Sequence, residues 1–166
     1  MAALTIKLQD DKALRQLERA AVRLRNPREL MDLVGATLEA ATAQRFKDKV
    51  DPTGAPWAPV KASTLERLRA SRKGKGKGKG GGSVPGTLLD RSARGMRAGL
   101  THNLLSDREV EVGFDKHYAV FHEFGTRHMP RRGLLTADPE AGTLGKDDLQ
   151  DVLDVVNDYL REVFDE

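Results

Sequence analysis

Between Arg72 and Gly82 the chain reads Arg-Lys-Gly-Lys-Gly-Lys-Gly-Lys-Gly-Gly-Gly, and none of these side chains can join an apolar core. Glycine raises the backbone entropy that folding must overcome, and neighbouring lysines repel one another. The fold must therefore be built from the flanks of this run. Residues 72–83 read as a flexible, exposed Lys/Gly loop inside one domain spanning 1–166, not as a boundary between two.

The run is not a phosphate loop. Gly76 and Gly81 have the required separation, but Gly82 and Ser83 stand where Lys and Ser or Thr are needed, and no strand precedes them. Two uses remain open. The run is a solvated tether, or Lys73, Lys75, Lys77 and Lys79 contact a polyanion such as DNA without sequence preference, in which case binding weakens steeply with salt.

The flanks are long enough, in a chain of 166 residues, to bury a real core. Aromatics make up only 5%, so that core is expected to be mostly Leu, Val and Ala, a composition suited to a protein stabilised by its neighbours in an oligomer. The absence of cysteine excludes disulfides, thiolate metal sites and a cysteine nucleophile. No apolar run approaches the roughly 20 residues that span a bilayer, and Met1 to Lys7 lacks the pattern of a signal peptide. The expectation is a protein made and used in a cytoplasm, with no membrane partner.

Periodicity supplies the elements. Leu4, Ile6 and Leu8 alternate with polar residues as in a short strand. Asp10 or Asp11 then caps a helix with Leu14, Leu17, Ala21 and Leu24 on its apolar face. Asn26-Pro27-Arg28-Glu29 ends that helix and opens the next, with Asn26 as cap, Pro27 in the first position and Glu29 returning a bond. The second helix puts Leu30, Val34, Thr37, Leu38, Ala41 and Phe46 on one face and stops near Val50, before the turn Asp51-Pro52-Thr53-Gly54. Trp57, held between Pro56 and Pro59, is a packing anchor, and Ser63-Thr64-Leu65-Glu66 is a capping box for a helix to about Arg72.

Beyond the Lys/Gly run, Thr87 to Ser92 reads as a turn or short helix. Met96–Leu105 and Arg108–Phe114 read as two strands of a hairpin, with Val110, Val112 and Phe114 alternating against Glu109, Glu111 and Gly113. His117–Phe124 is a short helix, and Arg127–Gly142 is loop. A last helix from about Lys146 to Phe164 buries Leu149, Val152, Leu153, Val156, Tyr159, Leu160 and Val163. The order predicts an α+β fold, a small antiparallel sheet packed against N-terminal and C-terminal helices.

Candidate chemistry is thin. His117 and His122 are five residues apart, on different faces of a helix, and a His-Glu-x-x-His motif from His122 would need its second histidine where Thr126 stands. No metal site follows; His122 is expected to be half-buried and hydrogen-bonded to a neighbour. The nucleophile pattern Gly-x-Ser-x-Gly is missing around Ser83. No catalytic residue and no cofactor is assigned. Asp147, Asp148 and Asp151 suit the positive end of the last helix, and Asp154, Asp158 and Glu162 continue a solvated face or an acidic interface. Lys61–Lys79 is strongly basic, so in a ring one copy's basic segment can meet the next copy's acidic helix.

Four patterns in order resemble the phage virion morphogenesis family, the tail-completion or neck proteins of Mu-like and related tailed phages. Gly54-Ala55-Pro56-Trp57-Ala58-Pro59-Val60, followed by Thr64-Leu65, is similar to the family's Gly-x-x-Trp-x-Pro-Leu before a short helix. Leu88-Leu89-Asp90-Arg91-Ser92-Ala93-Arg94 resembles its Leu-x-Asp-Thr-Gly-x-Leu turn. Val112-Gly113 and then Tyr118-Ala119-Val120-Phe121-His122-Glu123-Phe124-Gly125 resemble its Val-Gly…Tyr-Ala-x-Ile-His-Gln-Phe-Gly, and Met129-Pro130-Arg131-Arg132-Gly133-Leu134-Leu135 resembles its Ile-Pro-Ala-Arg-Pro-Phe-Leu. Arg91-Ser92 departs from Thr-Gly, and Arg132-Gly133-Leu134 from Arg-Pro-Phe.

The resemblance covers roughly Phe46 to Leu135. It implies a non-catalytic structural protein of the virion, assembled in the host cytoplasm and acting in tail completion and head–tail joining as a ring, a hexamer by analogy with neck components, beside other tail and neck proteins. Trp57, Tyr118, His122, Phe124 and Gly125 are then structural signature. Arg127, His128, Met129, Arg131 and Arg132 are candidate interface residues, and the lysines of the Lys/Gly loop are candidates for a partner or DNA. The competing reading is a nucleic-acid-binding protein that works through that loop.

Overall fold

The computed structural model describes residues 11–66 and 95–165. The strand expected at Leu4–Leu8, the helix beyond Glu66, the Lys/Gly run and the Leu88–Ser92 turn lie outside these residues, as does the side chain of Leu14. Helix α1 spans Asp11–Arg25 and α2 spans Arg28–Asp48. Residues 62–66 are helical. A 3-10 turn, Met96–Gly99, leads into β1 (Leu100–Ser106), which pairs antiparallel with β2 (Glu109–Phe114). Short helix α3 is Ala119–Phe124, and α4 is Lys146–Asp165. This is a small α+β fold.

Helix α2 is the central element, contacting both strands of the hairpin and also α4, while α1 packs on α4. It can touch the sheet closely because Gly35 faces it. A Cβ there would lie 2.6 Å from Val110 Cγ2 and 2.7 Å from His102 Cδ2. Alanine at this position is worth about 1 kcal/mol in helix propensity, but it must push the hairpin away. Gly35→Ala is therefore expected to destabilise by about 1–3 kcal/mol; a rise in its urea midpoint would show that the sheet yields freely.

The hairpin follows its period-two pattern. Leu100, His102 and Leu104 share the inward side of β1, and Val110 and Val112 that of β2, with Thr101, Asn103, Glu109 and Glu111 exposed. Residues 96–99, expected as strand, form the 3-10 turn instead. Between Leu104 and Ser106 the register shifts, leaving Leu105 as an outward bulge.

His102 is the one polar side chain on that inward stripe, and α2 supplies its partners. Its Nδ1 lies 2.6 Å and its Nε2 3.4 Å from carboxylate oxygens of Glu39 and Asp32, and its backbone N–H donates to Glu39 at 3.1 Å. The Glu39 hydrogen bond raises the imidazole pKa above its ordinary 6.5, against the opposing effect of burial, with Asp32 adding to the rise. The folded state thus holds this proton more tightly than the unfolded chain does. Its contribution is full below pH 6.5 and is lost as pH rises through the raised value. His102→Gln is expected to remove that alkaline-side loss from a series of urea midpoints taken across neutral pH. An unchanged pH profile would remove His102 as its source.

Two apolar clusters form around α2. Phe46, Trp57, Met96 and Leu134 make the first, with Phe114, Ala119 and Leu135 against it. Phe46 meets the Trp57 ring edge-on at 5.4 Å and Phe114 at 5.9 Å. Ala20, Tyr159 and Val163, with Leu30, make the second and join α1, α2 and α4.

Several expected faces are wider than their cover. Leu17 and Leu24 of α1 are 52% and 40% exposed, and Leu149 and Leu153 of α4 are 50% and 46% exposed, although periodicity assigned all four to buried faces. On α1 the packed face is turned from the expected one, since Ala21 is exposed too and Ala20 is buried between half-buried Gln16 and Arg23; on α4 the apolar arc is broader than its neighbours cover. At the α1–α2 junction Asn26 Oδ1 accepts from Arg28 N–H at 3.4 Å, but Glu29 pairs with Arg23 at 3.3 Å and does not close the expected capping box.

Candidate functional site

The segment from Tyr118 to Thr136 is a helix, a sharp reversal and a returning strand of loop. Gly125 makes the reversal. Its φ is 75°, and a Cβ there would sit 2.9 Å from the backbone nitrogen of Arg131, so both conformation and space require glycine. Thr126 and Met129 exchange backbone hydrogen bonds of 2.8 and 3.2 Å, and Thr126 Oγ1 accepts from the N–H groups of His128 and Met129. This turn leaves Arg127 and His128 exposed at its tip, with Lys61 Nζ donating to the His128 carbonyl at 3.3 Å.

The returning chain is fastened to α3 by Glu123. This side chain is 8% exposed, and its Oε2 accepts from the N–H groups of Leu134 at 2.6 Å and Leu135 at 3.1 Å. Its Oε1 accepts from Thr136 N–H at 2.9 Å and from the Thr136 hydroxyl. An ionised carboxylate has about four lone-pair sites, and here all are taken by the chain's own donors.

The neighbouring arginines serve the same construction. Arg131 Nε donates to the Glu123 carbonyl at 2.8 Å and its guanidinium to the Thr136 carbonyl at 2.6 Å. Arg132 is 6% exposed; its backbone N–H donates to the His122 carbonyl at 2.8 Å, and its guanidinium reaches the carbonyls of Ala58 at 2.9 Å and Pro59 at 3.3 Å. Burial lowers the Arg132 pKa from its ordinary value. Trp57 completes the frame. It is 6% exposed, and its Nε1–H donates to the Gly133 carbonyl at 3.0 Å.

The sequence-derived site residues therefore separate by position. Arg132 is buried, Arg131 and Met129 are half-buried, and Arg127 and His128 face out. Trp57 is in the core, while Tyr118 and Phe124 are 37% and 54% exposed. Lys73, Lys75, Lys77 and Lys79 lie outside the described residues. His122 is half-buried, but its Nδ1 is enclosed without the hydrogen-bond partner expected for it. Burial and then the Arg132 charge lower its pKa, which favours the neutral ring. Tyr118 and His117 stack edge-on at 5.9 Å, and Tyr118 and His122 at 6.5 Å. Among the described residues no group of three or more His, Asp or Glu side chains is placed to hold a metal ion.

A second anchor joins this frame to the helices. Asp148 is 2% exposed and pairs with the guanidinium of Arg45, itself 8% exposed. Arg45 also donates to Thr42 Oγ1 at 3.2 Å and to the Leu134 carbonyl at 3.0 Å. Asp148 was grouped by sequence with the solvated aspartates of α4. It is the exception because Gly145 lets the start of that helix press against the Pro52 carbonyl, where a Cβ would stand 2.1 Å away.

The polar groups of this site hold backbone to backbone, as the framework of a structural protein does. The phage virion morphogenesis family model matches residues 8–161, and the chain belongs to that family. Its role is structural, in the assembly of a phage particle. Neither the curated proteins nor the solved structures provide a match. Among the described residues no helix is long and apolar enough to cross a membrane.

Proposed function

We propose that this protein is a non-catalytic ring component of the phage neck, a hexamer, which completes the tail and joins it to the head. The observation that carries the reading is the saturated Glu123 carboxylate: the segment most like an active site spends its acid on fixing a loop whose tip, Arg127 and His128, faces outward. Family membership supplies the phage particle as the setting. The charge pattern supplies an assembly force, since Asp147, Asp151, Asp154 and Asp158 line the exposed side of α4 while Lys61–Lys79 is basic. At about 1 M salt, where the Debye length is about 3 Å, a ring held by these charges falls apart; an unaltered ring means that charge does not hold it.

The experiment is to inactivate the gene in its phage and inspect the lysate by electron microscopy. Filled heads and separate, full-length tails are expected, with joined particles restored by a plasmid copy. Normal joined particles from the inactivated phage overturn the assignment. The lysines of the Lys/Gly run serve this role through non-specific contact with DNA or through a protein neighbour. Deleting Lys73–Gly82 and measuring DNA retention against salt decides for DNA if retention drops.

A further inference from the structure

The β1–β2 hairpin has two outer edges, and described residues bond only one of them. The Asp115 N–H donates to the Gly99 carbonyl at 2.9 Å, which makes these two a hydrogen-bonded pair at the end of the antiparallel ladder. The alternation then turns the N–H and C=O groups of His102 on β1, and of Val110, Val112 and Phe114 on β2, away from the partner strand. On β1 the outward groups of His102 are taken, its N–H by Glu39 at 3.1 Å and its carbonyl by the Thr101 hydroxyl at 3.3 Å. On β2 no bond from a described residue reaches the outward groups of Val110, Val112 or Phe114. Such an edge is a template for one more strand. Its two faces differ. Val110, Val112 and Phe114 are half-buried, while Glu109 and Glu111 are exposed on the other face. On α2, half-buried Met31 and Leu38 lie about 40–60° round from Gly35, on the side away from Asp32 and Glu39. An incoming strand therefore meets apolar side chains on one face and acid on the other.

We propose that residues 4–8 of the same chain, Leu-Thr-Ile-Lys-Leu, add to β2 as a third, antiparallel strand. One register sets Leu4 beside Phe114, Ile6 beside Val112 and Leu8 beside Val110, all toward α2, and sets Lys7 beside Glu111 on the exposed face. A slip by one residue turns the three apolar side chains to solvent. A parallel strand that matches the same apolar residues puts Lys7 beside Gly113, and loses the favourable pairing of opposite charges across two strands. The chain itself is the occupant, because Leu8 stands three positions before Asp11, where α1 begins, and α1 packs on α4 of the same protomer. A short covalent tether supplies the strand at an effective concentration of about millimolar. The inference is independent of the ring reading. It takes the β2 edge out of use for pairing with a neighbour, so subunits that assemble do so through other surfaces.

Amide exchange in the full natural chain tests this first. The N–H groups of Val110 and Val112 should be protected like that of Glu111, which faces β1; exchange at the rate of free amides overturns the third strand. Ile6→Pro removes a ladder donor from the middle of residues 4–8. It should quicken exchange at Val110 and Val112 about tenfold, with little change at Glu111, and no difference between the two sites overturns the proposal. Cysteine pairing identifies the occupant, since the natural chain has no cysteine. Lys7→Cys with Glu111→Cys places two thiols across a non-hydrogen-bonded pair, where Cα atoms are about 4.5 Å apart, within reach of a disulfide. Lys7→Cys with Asn103→Cys places them one strand further apart, at about 9–10 Å, because Asn103 pairs with Glu111 from the β1 side. In a glutathione redox buffer the first variant should close a disulfide within one chain and the second should stay reduced, read by mass and by migration on a non-reducing gel. Both closing alike, neither closing, or a link between two chains overturns the proposal. If a variant does not fold, exchange in the natural chain decides.

Discussion

Asp148→Ala is expected to destabilise the protein by about 3–5 kcal/mol, a large part of the roughly 5–15 kcal/mol that holds a domain together. The loss comes mainly from what remains behind. Arg45 stays buried between α2, α4 and the Leu134 carbonyl, with its charge no longer matched. Removing both partners tests this directly. Arg45→Met with Asp148→Ala should recover most of the loss, because no buried charge is then left uncompensated. Urea denaturation of the two single variants and the double variant measures the coupling. If Asp148→Ala keeps the natural midpoint, the pair does not join α2 to α4 in the way described.

Glu123→Ala is expected to cost about 2–4 kcal/mol, since each buried donor left without a partner costs about 1–3 kcal/mol and the half-buried ones regain water. The donors are the N–H groups of Leu134, Leu135 and Thr136, together with the Thr136 hydroxyl. Amide exchange should quicken at those three positions before it does in β1 or β2. Glu123→Gln separates a fastener from an acid. A glutamine keeps one acceptor oxygen but turns an NH2 group toward N–H donors, so it should also loosen the loop. Stability equal to the natural chain in the Gln variant would show that the carboxylate is not needed to fasten the loop.

The two anchors mark where the sequence pattern stops specifying the fold. Helices α1, α2 and α4 and the β1–β2 hairpin follow from periodicity, since each pattern is local and long. The anchors depend on residues far apart in the chain. Arg45 reaches Asp148 across 103 positions; helical spacing puts Asp148 on one face with Val152, Tyr159 and Val163, apart from the exposed Asp147 and Asp151, but no local pattern names its distant partner. Glu123 follows His122 in sequence, where the spacing already argued against a metal motif without saying what the acid does; its role is set by a chain that returns 11–13 residues later. A usable sign was present in Gly125, whose position just after an apolar helix marks a tight reversal. The misassigned leucines have a different cause. Periodicity identifies Leu149 and Leu153 as apolar-face residues, but it cannot say whether the cover is the same chain or another copy.

Antibody labelling of intact phage particles, viewed by electron microscopy, tests the central claim most directly. Label confined to the junction between tail and head is the expected result. Label spread along the tail, or none on finished particles, would contradict it.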